Sequence, residues 1–594
     1  MKKRKLIALF LVVILIFAMV AGCSKETDEK EDPKPTATPD SDSEVVEEEI
    51  PEVDELDPHD LLEDVPNYRN ADVLGTLAFD YEVPPSKLPL TTEKVTFDFW
   101  IEAPNPGANM VFLHEGEMWK ELENRTNIEV TMRHPAKGSE REQFMVVVNS
   151  GDLPDMMKNP EYYPGGFDKA MDDEIFINMA DYLEWMPHYS AMLNSSENLR
   201  RDVYTDTGRI GLIHFFQYLE DGKRQKVNYG LAVRQDILEK NNWTGGLPDT
   251  IDDLEEMLHF FKDECGFTNG PFPLSPNGLH GFSFMNGFNI TSSWRIDTTN
   301  NKVDYSLVQP EFKKYLEVLN DWYNKNLIYR DFMTASSELD SQGWLWTDKV
   351  PIGVTFAIFA GDTQYVTGLN PDPDYNIVGI KNVTLEPGKK PMPAAYNIEN
   401  ITANAYMAFA ITTQCHDKPL LARWWDYFFS AEGALLINYG PFEGTGPDDW
   451  EKTYYRNEDN RPILTNFMVR NPEYGSSEML QKYAWHGCIF GLYNREVDTE
   501  TPVQLESHYR WSDQDFDARF KPIPSAYVFL PDEADVYTSK YNDIQTYTTE
   551  HAVKFITGEL PLSQFDEYVE GVYEMGLEQV LEVIQSAVDR YFRR

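Results

Sequence analysis

The chain has 594 residues and a formal charge of −47, from 99 Asp and Glu against 52 Lys and Arg. That length provides for two lobes with sizeable cores rather than one small domain. The charge argues against nucleic acid as a partner, because holding a polyphosphate requires clustered cations.

In chain order, Lys2, Lys3, Arg4 and Lys5 precede an apolar stretch from Leu6 to Val20, followed by Ala21-Gly22-Cys23. This is the layout of a secretory signal peptide. It resembles a bacterial lipobox, which implies loss of residues 1–22, lipidation of Cys23 and anchoring on the outer face of the cell membrane. An uncleaved transmembrane anchor is the other reading of the same run; both put the rest of the chain outside the cytoplasm. Ser24 to Asp64 holds 18 Asp and Glu against 3 Lys and is rich in Pro, Ser and Thr. Such a stretch cannot bury enough surface to fold, so residues 23–89 are expected to form a self-repelling acidic tether.

Val95-Thr-Phe-Asp-Phe-Trp-Ile101 alternates β-formers and reads as a first strand, with a helix to Arg125 and a second strand at Ile128–Met132. Gln143 to Asn149 is expected to be helical and ends at Ser150-Gly-Asp-Leu-Pro-Asp155, where Gly and Pro mark a break. Strands alternating with helices imply a parallel α/β sheet. Further on, Thr250 is placed to cap a helix with Asp252 and Asp253 at its positive end. Pro310 to Asn326 presents Phe312, Tyr315, Leu316, Leu319, Trp322 and Tyr323 on one face. Lys349 to Phe356 reads as a buried strand, and helices are expected at 420–429, 435–439, 549–556 and 565–592. Cys265, Cys415 and Cys488 show no CxxC or Cys/His spacing, so neither a metal site nor a disulfide framework is expected.

Several segments carry a family resemblance: Phe97-Asp-Phe-Trp100, Trp119 to Val130, Ser150 to Asp155, Arg234-Gln-Asp-Ile-Leu238, Tyr315 to Tyr329, and above all Ala422-Arg-Trp-Trp-Asp-Tyr-Phe-Phe-Ser-Ala-Glu-Gly433 followed by Asn438-Tyr-Gly440. Gly576-Leu-Glu-Gln-Val580 and Ala587 to Arg590 complete the set. In their order and spacing the chain resembles an extracellular solute-binding lipoprotein of an ABC importer, of the Gram-positive oligosaccharide branch. The pattern departs at Pro441-Phe442, inserted before Glu443-Gly444, and at Asn324-Lys-Asn326, which lacks a glycine usual at that turn.

The resemblance implies an α/β periplasmic-binding-protein-like fold of two lobes, with ligand held in the cleft between them. The expected division is 90–215 and 372–412 for the first lobe, and 216–371 and 413–594 for the second. Crossings are expected near 212–228, 365–375 and 410–418. It further implies a monomeric receptor that closes on an oligosaccharide and delivers it to membrane permease subunits.

Sugars present apolar faces to aromatics and hydroxyls to carboxylates, amides and guanidinium groups, and aromatics make up 13% of this chain. Ligands of open α/β sheets sit beyond the carboxyl ends of strands, which selects Trp100, Glu102 and Asn105, with a core role the alternative for Trp100. Trp294 and Arg295 are the second-lobe candidates, joined by Phe356, Phe359, Tyr396, Glu399 and Trp485. Arg234 and Asp236 read as a structural ion pair. Asp202 to Asp206 and Asp297 to Asn301 offer oxygen ligands for a structural calcium, but neither has the EF-hand pattern, and no cofactor is expected. A secreted glycoside hydrolase is the rival reading, and a lipoprotein presenting ligand to a membrane sensor is a third. No G-x-S-x-G, HExxH or Walker A motif is present, so no catalytic residue is assigned.

Overall fold

The computed structural model describes residues 57–75, 82–104, 108–218, 229–274, 284–330, 332, 352–358, 374–396, 401–458, 460–484, 492–494 and 502–594. Its strands are β1 Val95–Trp100, β2 Ile128–Arg133, β3 Met156–Lys158, β4 Ile213–Tyr218, β5 Tyr229–Arg234, β6 Trp294–Asp297 and β7 Lys302–Tyr305. They continue as β8 Val354–Ile358, β9 Ile377–Gly379, β10 Ile401–Ile411, β11 Tyr454–Arg456, β12 Pro462–Leu464, β13 Leu492–Asn494 and β14 Phe520–Pro522.

The first lobe is built on a six-stranded sheet in the order β13-β4-β10-β3-β1-β2. Alternation in β1 sends Phe97 and Phe99 into a core with Met118, Leu122, Ile128, Trp424 and Trp425. β1 runs parallel to β2 and β3; β10 is antiparallel to β3 and β4, and β13 is parallel to β4. Strands β1, β2, β3, β4 and β13 therefore all point the same way. The chain leaves for the second lobe after β4 and after β13, and it returns at the start of β10. β4 and β13 end, and β10 begins, at the edge where β1, β2 and β3 end, so that edge faces the second lobe.

The second lobe carries two three-stranded sheets, β8-β5-β9 and β14-β6-β7. As the sequence predicts, Thr250 caps helix Ile251–Asp263, its hydroxyl accepting from the Asp253 amide while the Asp253 side chain returns the bond. In helix Pro310–Asn324, Phe312, Tyr315, Leu316, Leu319 and Trp322 are buried. Helix Pro502–Trp511 lies on β5 and β9, with the Trp511 indole donating to the Leu231 carbonyl at 2.8 Å. Gly230 is required there, because a Cβ would stand 2.3 Å from the Trp511 ring.

Four expectations are corrected. Part of the tether is folded: Leu61 and Leu74 are buried, and the Tyr68 hydroxyl donates to Glu432 at 3.0 Å, so the folded body takes in residues before 90. Residues 413–484 do not belong with the second lobe. Helices Lys418–Tyr427 and Ala431–Tyr439 pack into the first core, and residues 439–484 form a satellite cluster beside them. The return to the first lobe is later than 372, because β9 still pairs with β5. Finally, the helix expected at 565–592 is two, Phe565–Glu574 and Leu577–Tyr591, interrupted by Gly576 at φ 97°. Residues 1–56, including Cys23, lie outside the described residues. Among the described residues no helix is long and apolar enough to cross a membrane.

A second, ionic contact joins the lobes beside these connections. Arg590, on helix Leu577–Tyr591, meets Asp206 at 2.8 Å and Glu533 at 2.5 Å, while Arg594 meets the other Asp206 oxygen at 2.7 Å. The Tyr591 hydroxyl donates to Asp202 at 2.6 Å. Arg594 also donates to the Arg201 and Ala526 carbonyls. Arg594→Ala removes several charge-assisted bonds from a nearly buried site, and a loss of about 1.5–3 kcal/mol in urea unfolding is expected. No shift in the urea midpoint would mean that the contact contributes nothing to stability.

Candidate ligand cleft

The residues at the carboxyl ends of β1 and β3 form a polar cluster on the edge that faces the second lobe. Lys158 ends β3 with its side chain 2% exposed, and its ammonium meets the Glu102 carboxylate at 2.7 Å. A buried ammonium requires such a partner, since desolvating an isolated charge is prohibitive. Asn159 follows in the left-handed region at φ 57°, a conformation that asparagine tolerates better than most residues. Its amide donates to the Ala408 carbonyl at 3.0 Å, and its Nδ2 donates to the other Glu102 oxygen at 2.6 Å. Pro160 then opens a 3₁₀ turn, Pro160–Tyr162, which brings the Tyr162 hydroxyl to 3.4 Å from Asn159. Glu102, held by two donors, keeps a side chain 32% exposed. The neighbouring β10 is irregular here: five steps along it, from Asn404 to Phe409, match only two along β4. Bulges of this kind re-aim the chain beside a site.

At the adjoining end of β2, His134 follows the strand, its Nδ1 2.7 Å from the Ile101 carbonyl oxygen. That oxygen can only accept, so Nδ1 carries the proton. The Phe112 ring stacks with His134 at 5.3 Å and with His114 at 5.2 Å. Glu115 accepts from the Val111 and Phe112 amides, which holds its carboxyl below the ordinary range. Burial lowers His114, so its ring stays neutral near pH 7.

The sequence candidates divide sharply. Glu102 belongs to this polar cluster. Trp100, by contrast, is 2% exposed and meets the Phe144 ring edge-on at 5.6 Å, among Met157, Phe176 and Ala410; it is core. Trp294 packs between Tyr305 at 4.7 Å and Tyr541 at 5.0 Å in the second core. Arg295 is buried, bonded to Asp304 and the Asn289 carbonyl and set 4.0 Å over the Phe520 ring. Neither is free to meet a ligand. Tyr396 packs on Phe592 at 5.4 Å, beside the contact between the lobes. Phe356 lies in β8 opposite Leu231. Asn105, Phe359, Glu399 and Trp485 lie outside the described residues, as does Cys488. The sequence reading missed Lys158, Asn159, Tyr162, Phe112, His114 and His134. The one local signal was Asn159-Pro160 directly after an apolar strand, a turn dipeptide at a strand end.

Arg234 and Asp236 form the ion pair at 2.7 Å, with the guanidinium over Tyr375. Asp202 and Asp206 are taken by Tyr591, Arg590 and Arg594. Asp297 is bound by Arg519 and Thr299, whose donors hold its carboxyl well below the carboxylate range. Both acidic stretches thus serve internal contacts. Among the described residues no group of three His, Cys, Asp or Glu is arranged for a metal ion. Cys265 and Cys415 are free thiols, and burial pushes Cys415 up to about 12.

No protein-family model and no curated protein matches this chain. Solved structures do. The alginate-binding protein AlgQ2 superposes with a TM-score of 0.60 at 18% identity, covering 84% of this chain and 99% of that one. An HMO-binding, ABC-transporter-associated solute-binding protein from Bifidobacterium longum infantis gives 0.63 at 14% identity, with coverage of 84% and 99%. The Streptococcus pneumoniae ABC-transporter substrate-binding protein FusA, in complex with kestose, gives 0.61 at 18%, again over 84% and 99%. At these identities the likeness establishes architecture, and the chain has the two-lobed α/β fold of solute-binding proteins.

Proposed function

We propose that this chain is the extracytoplasmic substrate-binding component of an ABC importer, capturing an oligosaccharide between its lobes and presenting the closed form to a membrane permease. The observation that carries this reading is the Glu102–Lys158–Asn159–Tyr162 cluster. It lies on the edge from which all three connections to the second lobe depart, so a ligand there would touch both lobes only when they close. Closure is then driven by contacts that the open form lacks. The three fold relatives, named for alginate, HMO and ABC-transporter substrate binding with kestose, support a sugar as the ligand. The protein works by binding, without bond cleavage.

Calorimetric titration with plant and microbial oligosaccharides tests this reading. The expected result is a dissociation constant of about 1 μM, equivalent to roughly −8 kcal/mol, with the sugar recovered intact. A cleaved sugar would establish a hydrolase instead.

The lipobox-like start completes the proposal, with Cys23 as the lipid attachment that keeps the receptor beside its permease. Cys23→Ser is expected to move the protein from the membrane fraction into the medium. Continued membrane association would count for an uncleaved anchor.

A further inference from the structure

The contact between the lobes brings a second-lobe segment beside the turn that carries Tyr162. That turn runs through Tyr163, Pro164 and Gly165 into helix Gly166–Asp172. A Cβ built on Gly166 would stand 3.8 Å from a Val528 methyl, so Val528 of the second lobe lies against the first lobe shortly after Tyr162. Two arginines hold the segment in place. Arg594 donates to the Ala526 carbonyl at 2.8 Å, and Arg590 donates to the Val528 carbonyl at 2.9 Å. The same two guanidinium groups bind the two oxygens of Asp206 in the first lobe, at 2.7 and 2.8 Å. The loop of Asp206 is in turn fastened to the helix that starts at Gly166, because Thr205, Thr207 and Arg209 all donate to the Asp168 carboxylate. The contacts therefore close a ring, from the Tyr162 turn through Asp168, Asp206 and the arginines to Val528 and back to Gly166.

Resting on the sugar-receptor reading, we infer that Ala526–Val528 is a second-lobe wall of the ligand cleft, and that Arg590 and Arg594 are positioning residues for capture. They act through the segment they hold. A planar guanidinium fork engages its acceptors at fixed angles, so each arginine ties the place of Asp206 to the backbone of the wall. The Arg590 and Arg594 side chains are 15% and 4% exposed, and charge-assisted bonds of this kind are stronger than neutral ones. The ring thus holds the lobes in a set orientation at the part of the cleft where Tyr162 lies. Less freedom remains to be ordered when an oligosaccharide closes the lobes, and this favours binding. Lobes that drift are competent for a smaller fraction of the time, and the apparent affinity falls by that fraction.

The test titrates the full chain, Asp206→Asn and Val528→Trp by calorimetry with tetramers of β-1,4-linked glucose, mannose and xylose and with kestose. Each protein is also taken through urea unfolding. Asp206→Asn keeps the side-chain shape and loses the charge, and its best sugar is expected to bind about fivefold more weakly. Val528→Trp leaves the ionic bonds in place and wedges the lobes apart at Gly166, and a loss of about tenfold is expected. Arg594→Lys, which keeps the charge without the fork, should fall between the unaltered chain and Asp206→Asn. A lowered urea midpoint with unchanged affinity in both Asp206→Asn and Val528→Trp would make the ring purely structural and overturn the inference, leaving a sugar receptor in place. If Asp206→Asn does not fold, Val528→Trp decides alone, and unchanged affinity in it overturns the inference. Binding of no sugar by the unaltered chain would instead overturn the sugar reading, and this inference with it.

Discussion

Replacing Trp100 with alanine should lower the unfolding free energy by about 3–5 kcal/mol, the range for emptying a buried aromatic site. The side chain ends β1 and fills the space between the sheet and helix Glu140–Ser150, against Phe144, Val148 and Met157. Helix and strand are both fixed elements here, so collapse around the cavity is limited, and the upper half of the range is expected. A urea titration of the folded variant measures the loss. Ligand affinity of the surviving folded protein should change little, because no part of the indole lies on the cleft edge. A stable variant with lost affinity would return Trp100 to the binding site.

The second large effect is on acid stability. His214, on β4, is 5% exposed. Burial, with a smaller contribution from nearby Arg594, pushes it down to about 3. Its folded value thus lies below the unfolded value of about 6.5. Stability from this group is complete above that unfolded value and declines as the pH falls toward 3, because the unfolded chain takes up a proton that the fold refuses. The slope approaches about 1.4 kcal/mol per pH unit, so a loss of roughly 2 kcal/mol is expected between pH 6.5 and 5. His214→Gln should flatten this part of the curve, whatever the substitution costs at neutral pH. The check is the difference in urea midpoint between pH 7.5 and pH 5, compared in the two proteins. Equal differences would mean that His214 does not carry the acid sensitivity. Arg594 of the contact between the lobes is within electrostatic reach of this group, so acid should loosen the junction of the lobes first.

What was legible in the sequence was local. β1, β2 and helices Ile251–Asp263 and Pro310–Asn324 follow from periods of two and 3.6 residues and from a cap at Thr250, each set by residues close in sequence. The assignment of segments to lobes was not local. Helices Lys418–Tyr427 and Ala431–Tyr439 join the first core because β10, immediately before them, lies between β3 and β4 in that sheet. Sheet order is a long-range pairing that no window of sequence contains.

The site shows the same limit. Trp100 was a candidate because it ends β1, beyond which ligands of open α/β sheets sit, and its side chain lies on the face opposite Phe97 and Phe99. A mostly parallel sheet is covered on both faces, however, and the opposite face is closed by Phe144 and Val148. Trp294 and Arg295 failed likewise, in a strand buried along its whole length. Glu102 lies at the strand-end edge as the rule places it, because that rule depends on chain direction alone. Lys158 and Asn159 became visible only once β3 was paired with β10, which buries the lysine and turns the asparagine toward Glu102.

Small-angle X-ray scattering, with and without a saturating oligosaccharide identified by calorimetry, tests the central claim most directly. The account predicts that the radius of gyration falls when the sugar binds, since the polar cluster lies on the edge where the lobes join and the binding site is completed only by closure. An unchanged radius at full occupancy would contradict capture between the lobes.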